Sequence, residues 1–298
     1  MFETPVLLEK KEKFGCDVEI LLKIIRHGDR DPKTNMLTDY GREETALRAR
    51  ESKLQGQNFD VIHAIGSTVG PYDEKGMGRA EATADIYAGE IAGDKSFNTR
   101  KSEALAFDKR KRPAPYNHHN VYNSFLPENF DALSPEQKAK AGVEAQGRLV
   151  EYVLTLNTLE ALQFKEEEAG TIAYLIKHYQ DVSHRLKSGK KALVPAGIHG
   201  PYMEYFLQEA LIRKDGEGKK IRGFKKLSEI GGQHNVSEAF TVKIKTDKEG
   251  NGESLIITFD NPNRPQTQME LDSKVVADLA EKFEKLHPEM RGLREKKK

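Results

Sequence analysis

The sequence predicts an α/β fold, because short uninterrupted apolar runs alternate with longer stretches whose apolar residues recur at helical spacing. Three runs carry that prediction. Residues 20–25 end in Arg26-His27-Gly28, residues 59–65 (FDVIHAI) end in Gly66-Ser67-Thr68, and residues 192–196 end in Gly197-Ile198-His199-Gly200. Each reads as a buried strand that delivers its last side chains into a loop, and in open α/β sheets the reacting groups gather outside the carboxyl ends of strands.

Residues 1–17 form a polar lead-in whose apolar patch 6–8 packs against the sheet edge. After the first strand, Thr38 is placed as an N-cap, opening a helix over 41–54 that lays Ala46, Leu47 and Leu54 on the sheet. The second strand, 59–65, leads through a glycine-rich loop, 69–78, into a helix over 79–91 that starts at Arg79. Periodicity fails over 93–123. Two amphipathic helices follow within 131–186, the first with Leu149, Val150, Val153, Leu154, Leu156, Leu159 and Leu162, the second with Ile172, Leu175, Ile176, Tyr179 and Val182. Past the strand 192–196, Pro201 suits the first turn of a helix running to 211, and 214–220 reads as a charged linker. Alternating segments 239–246 and 254–259 around DKEGNG predict a hairpin. A helix over 272–287 and a frayed basic tail, 291–298, close the chain.

The length of 298 residues admits one large α/β domain or two small ones. A net charge of +1 leaves no global field to recruit nucleic acid, and no apolar stretch approaches the length of a membrane span. The single cysteine, Cys16, excludes an internal disulfide framework, and the amino terminus lacks the order of a signal peptide, so the expected location is the cytoplasm.

The chemistry is expected where the first strand stops. Arg26 and Arg30 are planar forks suited to phosphate or carboxylate oxygens, and they flank His27, which can act as a nucleophile. An imidazole aimed at an anion held by arginines is the arrangement that phosphoryl transfer to nitrogen needs. Arg79 stands at a helix N-terminus, where backbone amides and a guanidinium face the same anion. His199 repeats the setting of His27. Other candidates read as ordinary: His63 as a strand histidine, His178 and His184 as helix residues, and the basic run 109–112 as a solvated loop. Adjacent His118 and His119 point apart, which disfavours a shared metal.

Taken together, RHGDRDP at 26–32, LTDYG at 37–41, Ser67 followed by RAEATA at 79–84, and VPAGIHG at 194–200 resemble, in that order, the signature segments of the histidine phosphatase superfamily. Arg30 and Pro32 match the longer form of the first motif found in its acid phosphatase branch. The resemblance implies a phosphoglycerate mutase-like α/β/α sandwich of three layers, one domain over 1–298 with 109–190 as a helical cap or insertion. It implies His27 as nucleophile, with Arg26, Arg30, Arg79 and His199 holding the phosphoryl oxygens, no cofactor and no metal. The substrate would be a small phosphorylated molecule, with neither nucleic acid nor membrane as partner; oligomeric state stays open. The acid phosphatase branch has an aspartate directly after its second histidine, whereas His199 is followed by Gly200 and Pro201. The mutase-like branch brings its proton donor from the loop after the second-arginine helix, where Asp108 is preferred over Glu103. Phosphomonoester hydrolysis is the expected activity, with mutase-type transfer or a non-catalytic phospho-ligand module as alternatives.

Overall fold

The computed structural model describes residues 13–31, 33–106, 114–265 and 268–290. The expectations placed on 6–8, Pro32, Asp108, the run 109–112 and the tail 291–298 lie outside the described residues.

The first strand, β1 (Glu19–Arg26), is apolar along its length because both its faces are covered. Ile20, Leu22 and Ile24 join one hydrophobic cluster with Ile172, Leu175 and Ile176. Leu21 joins another, with Ile62, Leu193, Ala84 and Ala88. Lys23 interrupts the pattern. Its side chain is fully buried, with the ammonium paired to Asp260 and 5.2 Å from the centre of the Tyr87 ring. Burial alone would push the lysine pKa down, but Asp260 and Tyr87 leave it above its ordinary value, so the charge is retained.

β1 pairs in parallel with β4 (Lys191–Ile198), which pairs with β2 (Val61–Ser67), which pairs with the edge strand β3 (Asn98–Ser102). On its other side β1 meets β7 (Ala239–Lys245) antiparallel, and β8 (Ile256–Phe259), β9 (Met269–Leu271), β5 (Leu211–Lys214) and β6 (Lys220–Arg222) extend the sheet to nine strands among the described residues. Helices α1 (Asp39–Arg50) and α2 (Arg79–Ala92) lie on one face. On the other lie α5 (Leu159–Ser183), α6 (Tyr202–Ala210) and α7 (Ser273–Leu286), giving the α/β class and the three layers expected. Two further helices, α3 (His118–Ser124) and α4 (Pro135–Thr155), pack against each other. α4 is opened by a capping box between Ser134 and Gln137, and its terminal carbonyls at Leu154 and Leu156 accept from the buried ammonium of Lys165.

Several local expectations are corrected. Thr38 does cap α1, its hydroxyl accepting from the Gly41 amide, but the buried face is Gly41, Thr45 and Ala49, while Leu47 is 47 % exposed. The α1 face that packs is narrow and made of small residues, so a search for large apolar side chains misplaces it. Leu159 and Leu162 belong to the first turn of α5 and are exposed. α5 itself packs on β1 and β7 as part of the helix layer, although it falls inside the segment read as an insertion. The stretch 93–123 contains β3 and α3, which lack an apolar period because β3 is an edge strand and α3 buries no residue. The segment 214–220 is the turn of the hairpin β5–β6. Pro201 sits just before α6, at its N-cap.

Candidate active site

Two neighbouring strands deliver the two histidines side by side. Arg26 and Ile198 are register partners at the ends of β1 and β4, and the His27 amide donates to the Ile198 carbonyl at 2.9 Å. His27 and His199 therefore leave the sheet together, with ring centroids 5.1 Å apart and planes at 60°. Arg79 arrives from the third direction. Gly66 and Gly197 are paired in the β2–β4 register, and a Cβ on them would lie 2.2 Å from the Glu81 Cα and 1.8 Å from the Ala80 carbonyl oxygen. Only bare backbone at both positions lets the first turn of α2 descend onto the strand ends. The Thr83 hydroxyl fastens that turn, donating to the Arg79 carbonyl and accepting from the Gly28 amide.

Arg26, His27, Arg30, Arg79 and His199 line one cavity of about 600 Å³. The hydrogen bonds around them define the tautomers. His27 Nδ1 lies 2.7 Å from the Gly28 carbonyl, which can only accept, so Nδ1 carries the proton and Nε2 the lone pair. Arg79 Nη2 lies 3.3 Å from His199 Nδ1; a guanidinium only donates, so the His199 proton is on Nε2. That Nε2 and the Nε of Arg26 are buried donors with no partner among the described residues. Burial, then the neighbouring His199 and Arg79, push the His27 pKa well below the usual histidine value. Burial, then Arg79, Arg26 and Arg30, bring His199 down to about 3. Both rings are neutral near pH 7. Arg30 is exposed and donates to Asn35 at 2.6 Å.

A second layer of polar residues, invisible to motif reading, grips Arg26. Its amide donates to the Glu238 carbonyl and its carbonyl accepts from the Ser237 amide. Its Nη1 donates to the His234 carbonyl. His234 is in turn held by one carboxylate oxygen of Glu204, which accepts from its amide at 2.6 Å and its Nδ1 at 2.9 Å. Burial opposes the charge on Glu204, yet the His234 hydrogen bonds and the Arg26 guanidinium leave its pKa below the usual carboxylate value. Glu238 is paired with Arg264, both fully buried. The signals for this layer were a Glu on α6 and a Gly-Gly-Gln-His-Asn stretch, neither of which carries a meaning by spacing alone.

The proton-donor candidates divide. Asp108 lies outside the described residues, while Glu103 is exposed on a single 3-10 turn and does not line the cavity. Among the described residues the carboxyl groups that do line it are Asp29, which accepts from the Thr38 hydroxyl, and Glu168 of α5, which is fully buried. Neither was singled out from the sequence. Ser67 is buried at the end of β2, where its hydroxyl accepts from the Val69 amide, and does not line the cavity. His118 lines the cavity and His119 contacts Asn123; among the described residues no group of three metal-ligating side chains comes together. No helix among them is long and apolar enough to cross a membrane.

No family model matches the sequence, and neither does any curated protein. Solved structures do match. A mycobacterial glucosyl-3-phosphoglycerate phosphatase is similar at 14 % identity over 83 % of this chain and 100 % of its own, with a TM-score of 0.42. A Klebsiella phytase is similar at 11 % identity over 91 % of this chain and 97 % of its own, with a TM-score of 0.42. A Hafnia alvei phytase stands at 10 %, 91 %, 98 % and 0.44 for the same quantities.

Proposed function

We propose that the protein is a phosphomonoester hydrolase that works through a phosphohistidine. The observation that carries the reading is a pair of buried donors without partners among the described residues, Arg26 Nε and His199 Nε2, beside a histidine whose lone pair is on Nε2. Buried polar groups are ordinarily satisfied, so two such donors in a cavity with further guanidiniums form a site prepared for an anion. Neutral His27 is a competent nucleophile at physiological pH, since its depressed pKa leaves the lone pair available.

In this reading His27 Nε2 attacks phosphorus in line, the bond to the ester oxygen breaks, and that oxygen takes a proton from a carboxylic acid. We assign the acid to Asp108. Arg26, Arg30, Arg79 and His199 hold the equatorial oxygens, where donors already in place stabilise the transferring group without reorganising. Water then attacks the phosphohistidine and gives up its proton to the same carboxylate, which returns His27 and releases phosphate. All the positive charge is supplied by side chains.

The test is release of inorganic phosphate from p-nitrophenyl phosphate by wild type and His27→Ala. Wild type denatured during turnover should retain protein-bound phosphate that acid releases and alkali does not. The variant should retain none and should lose at least about three orders of magnitude in rate, the scale on which a covalent nucleophile acts. An active His27→Ala protein would end the proposal.

A further inference from the structure

Beside the cationic groups and the polar residues Asn35, His118, Gln146 and Glu168, the same cavity is lined by rings and aliphatic side chains, among them Tyr202, whose ring centroid is 6.5 Å from that of His199. Tyr116, Leu149, Val150, Phe164, Tyr202 and Tyr205 form this wall, contributed by α4, α5, α6 and the segment before α3. All but Tyr116 are more than nine-tenths buried. Phe164 is the centre of a ring cluster: Tyr116 meets it at 6.1 Å and 87°, Tyr205 at 6.2 Å and 71°. Edge-to-face packing of this kind holds rings in fixed orientations, so the wall is shaped before a ligand enters. The space is also large. About 600 Å³ far exceeds what a phosphoryl group fills and lies in the range of sites that enclose a sizeable organic ligand.

Arg26 ends β1, Arg79 opens α2, and Arg30 lies in the loop beyond β1, near His118; the six wall residues themselves carry no cation. A second phosphate or a carboxylate pressed against this wall would give up its hydration to rings and to the neighbouring carboxyl group of Glu168, at a cost the wall does not offset. An apolar body would displace water from rings that are already in place.

Resting on the phosphatase reading, we propose that the substrate is a phosphomonoester of an uncharged alcohol with an aromatic or extended apolar body, and not a polyphosphate ester or a phosphorylated sugar acid. The cationic groups bind the phosphoryl group, and the ring cluster around Phe164 binds the leaving alcohol.

The experiment compares phosphate release from 3-phenylpropyl phosphate, glycerol phosphate, 3-phosphoglycerate and inositol hexakisphosphate. The first two leave as primary alkoxides, so their ratio reads the wall more than leaving-group chemistry. kcat/KM for the phenylpropyl ester should exceed that for glycerol phosphate by about tenfold or more, the usual discrimination of an apolar pocket. Phe164→Leu should compress that ratio toward one, and a ratio taken on one preparation is independent of the fraction folded. Equal rates, or faster release from either polyanionic substrate, would overturn the assignment while leaving the hydrolase reading intact. Absence of release from every ester would instead remove the hydrolase reading. Calorimetry with 3-phenylpropylphosphonate against propylphosphonate then judges the wall by itself, tighter binding of the phenyl compound by about tenfold supporting it and equal binding overturning it.

Discussion

Arg26 shows how a single side chain is made into part of a site. Its guanidinium is held through the His234 carbonyl, and His234 is held by Glu204, so a carboxylate on α6 sets the aim of an arginine on β1. Glu204→Gln keeps an oxygen that accepts both His234 bonds but removes the negative charge beside Arg26. We expect kcat and kcat/KM to fall together by roughly tenfold, the signature of an interaction that matters most in the transition state, with little loss of melting temperature. An unchanged rate would show that Arg26 needs no such support. The proton donor is decided at the same scale. An easily departing nitrophenolate needs no proton and an alkoxide does, so Asp108→Asn should keep most activity on p-nitrophenyl phosphate and lose about a hundredfold on an alkyl phosphate. Glu168→Gln is the control from inside the cavity. If it, and not Asp108→Asn, separates the two substrates, Glu168 is the donor.

At the scale of elements, the position of Arg79 depends on how closely α2 approaches the sheet. Gly66 and Gly197 sit opposite each other in register and leave a window that the backbone at Ala80 and Glu81 occupies. The α2 helix is otherwise unremarkable in sequence, with alanines on its buried side and a glycine N-cap that supplies no side-chain bond. Gly197→Ala would place a methyl group 1.8 Å from the Ala80 carbonyl oxygen, and α2 must move outward. Overpacking of this sort costs about 1–3 kcal/mol. Here the displacement also carries Arg79 from His199, so activity should fall much further than stability, by about a hundredfold for an arginine moved by an ångström. A variant with normal turnover and only a lowered melting temperature would disconnect the window from the site.

For the whole molecule, the buried histidines set the response to acid. His27, His199 and His234 all have pKa values below the usual 6.5 when folded, burial being the first cause in each. In the unfolded chain they take up protons near pH 6.5. Below that pH the unfolded state therefore binds more protons than the folded one, and stability falls as pH drops, by roughly 1.4 kcal/mol per pH unit for each histidine that stays neutral. For His199 the window runs from 6.5 down to about 3. The depressed carboxylates of Glu204 and Glu238 act in the same direction at lower pH, losing their contribution as they protonate. Melting temperatures measured from pH 7.5 to 5 should decline steadily, and His199→Asn should flatten the decline. A level profile in wild type would contradict the buried, neutral rings.

Much of this molecule was legible in the residues because strand ends and helix starts are local events. An apolar run that stops at Arg26-His27-Gly28, a threonine cap at Thr38, a helix opening on Arg79, a second strand delivering His199 and a hairpin around DKEGNG all depend on a few neighbouring side chains. The likeness of those segments, in order, to a known superfamily then suggested which residues share a site. What the sequence could not contain by itself was adjacency. That β1 and β4 are neighbours, that Gly66 faces Gly197, and that Glu204 reaches across to His234 are consequences of sheet order and packing between residues far apart in the chain. Buried charges such as Lys23, Glu168 and Glu204 were missed for the same reason, since a charged residue reads as exposed until its partners are known. Local propensity determines which elements form and what each carries at its end; only the tertiary structure decides which ends meet, because that is chosen by the burial of faces and the pairing of polar groups over the whole chain.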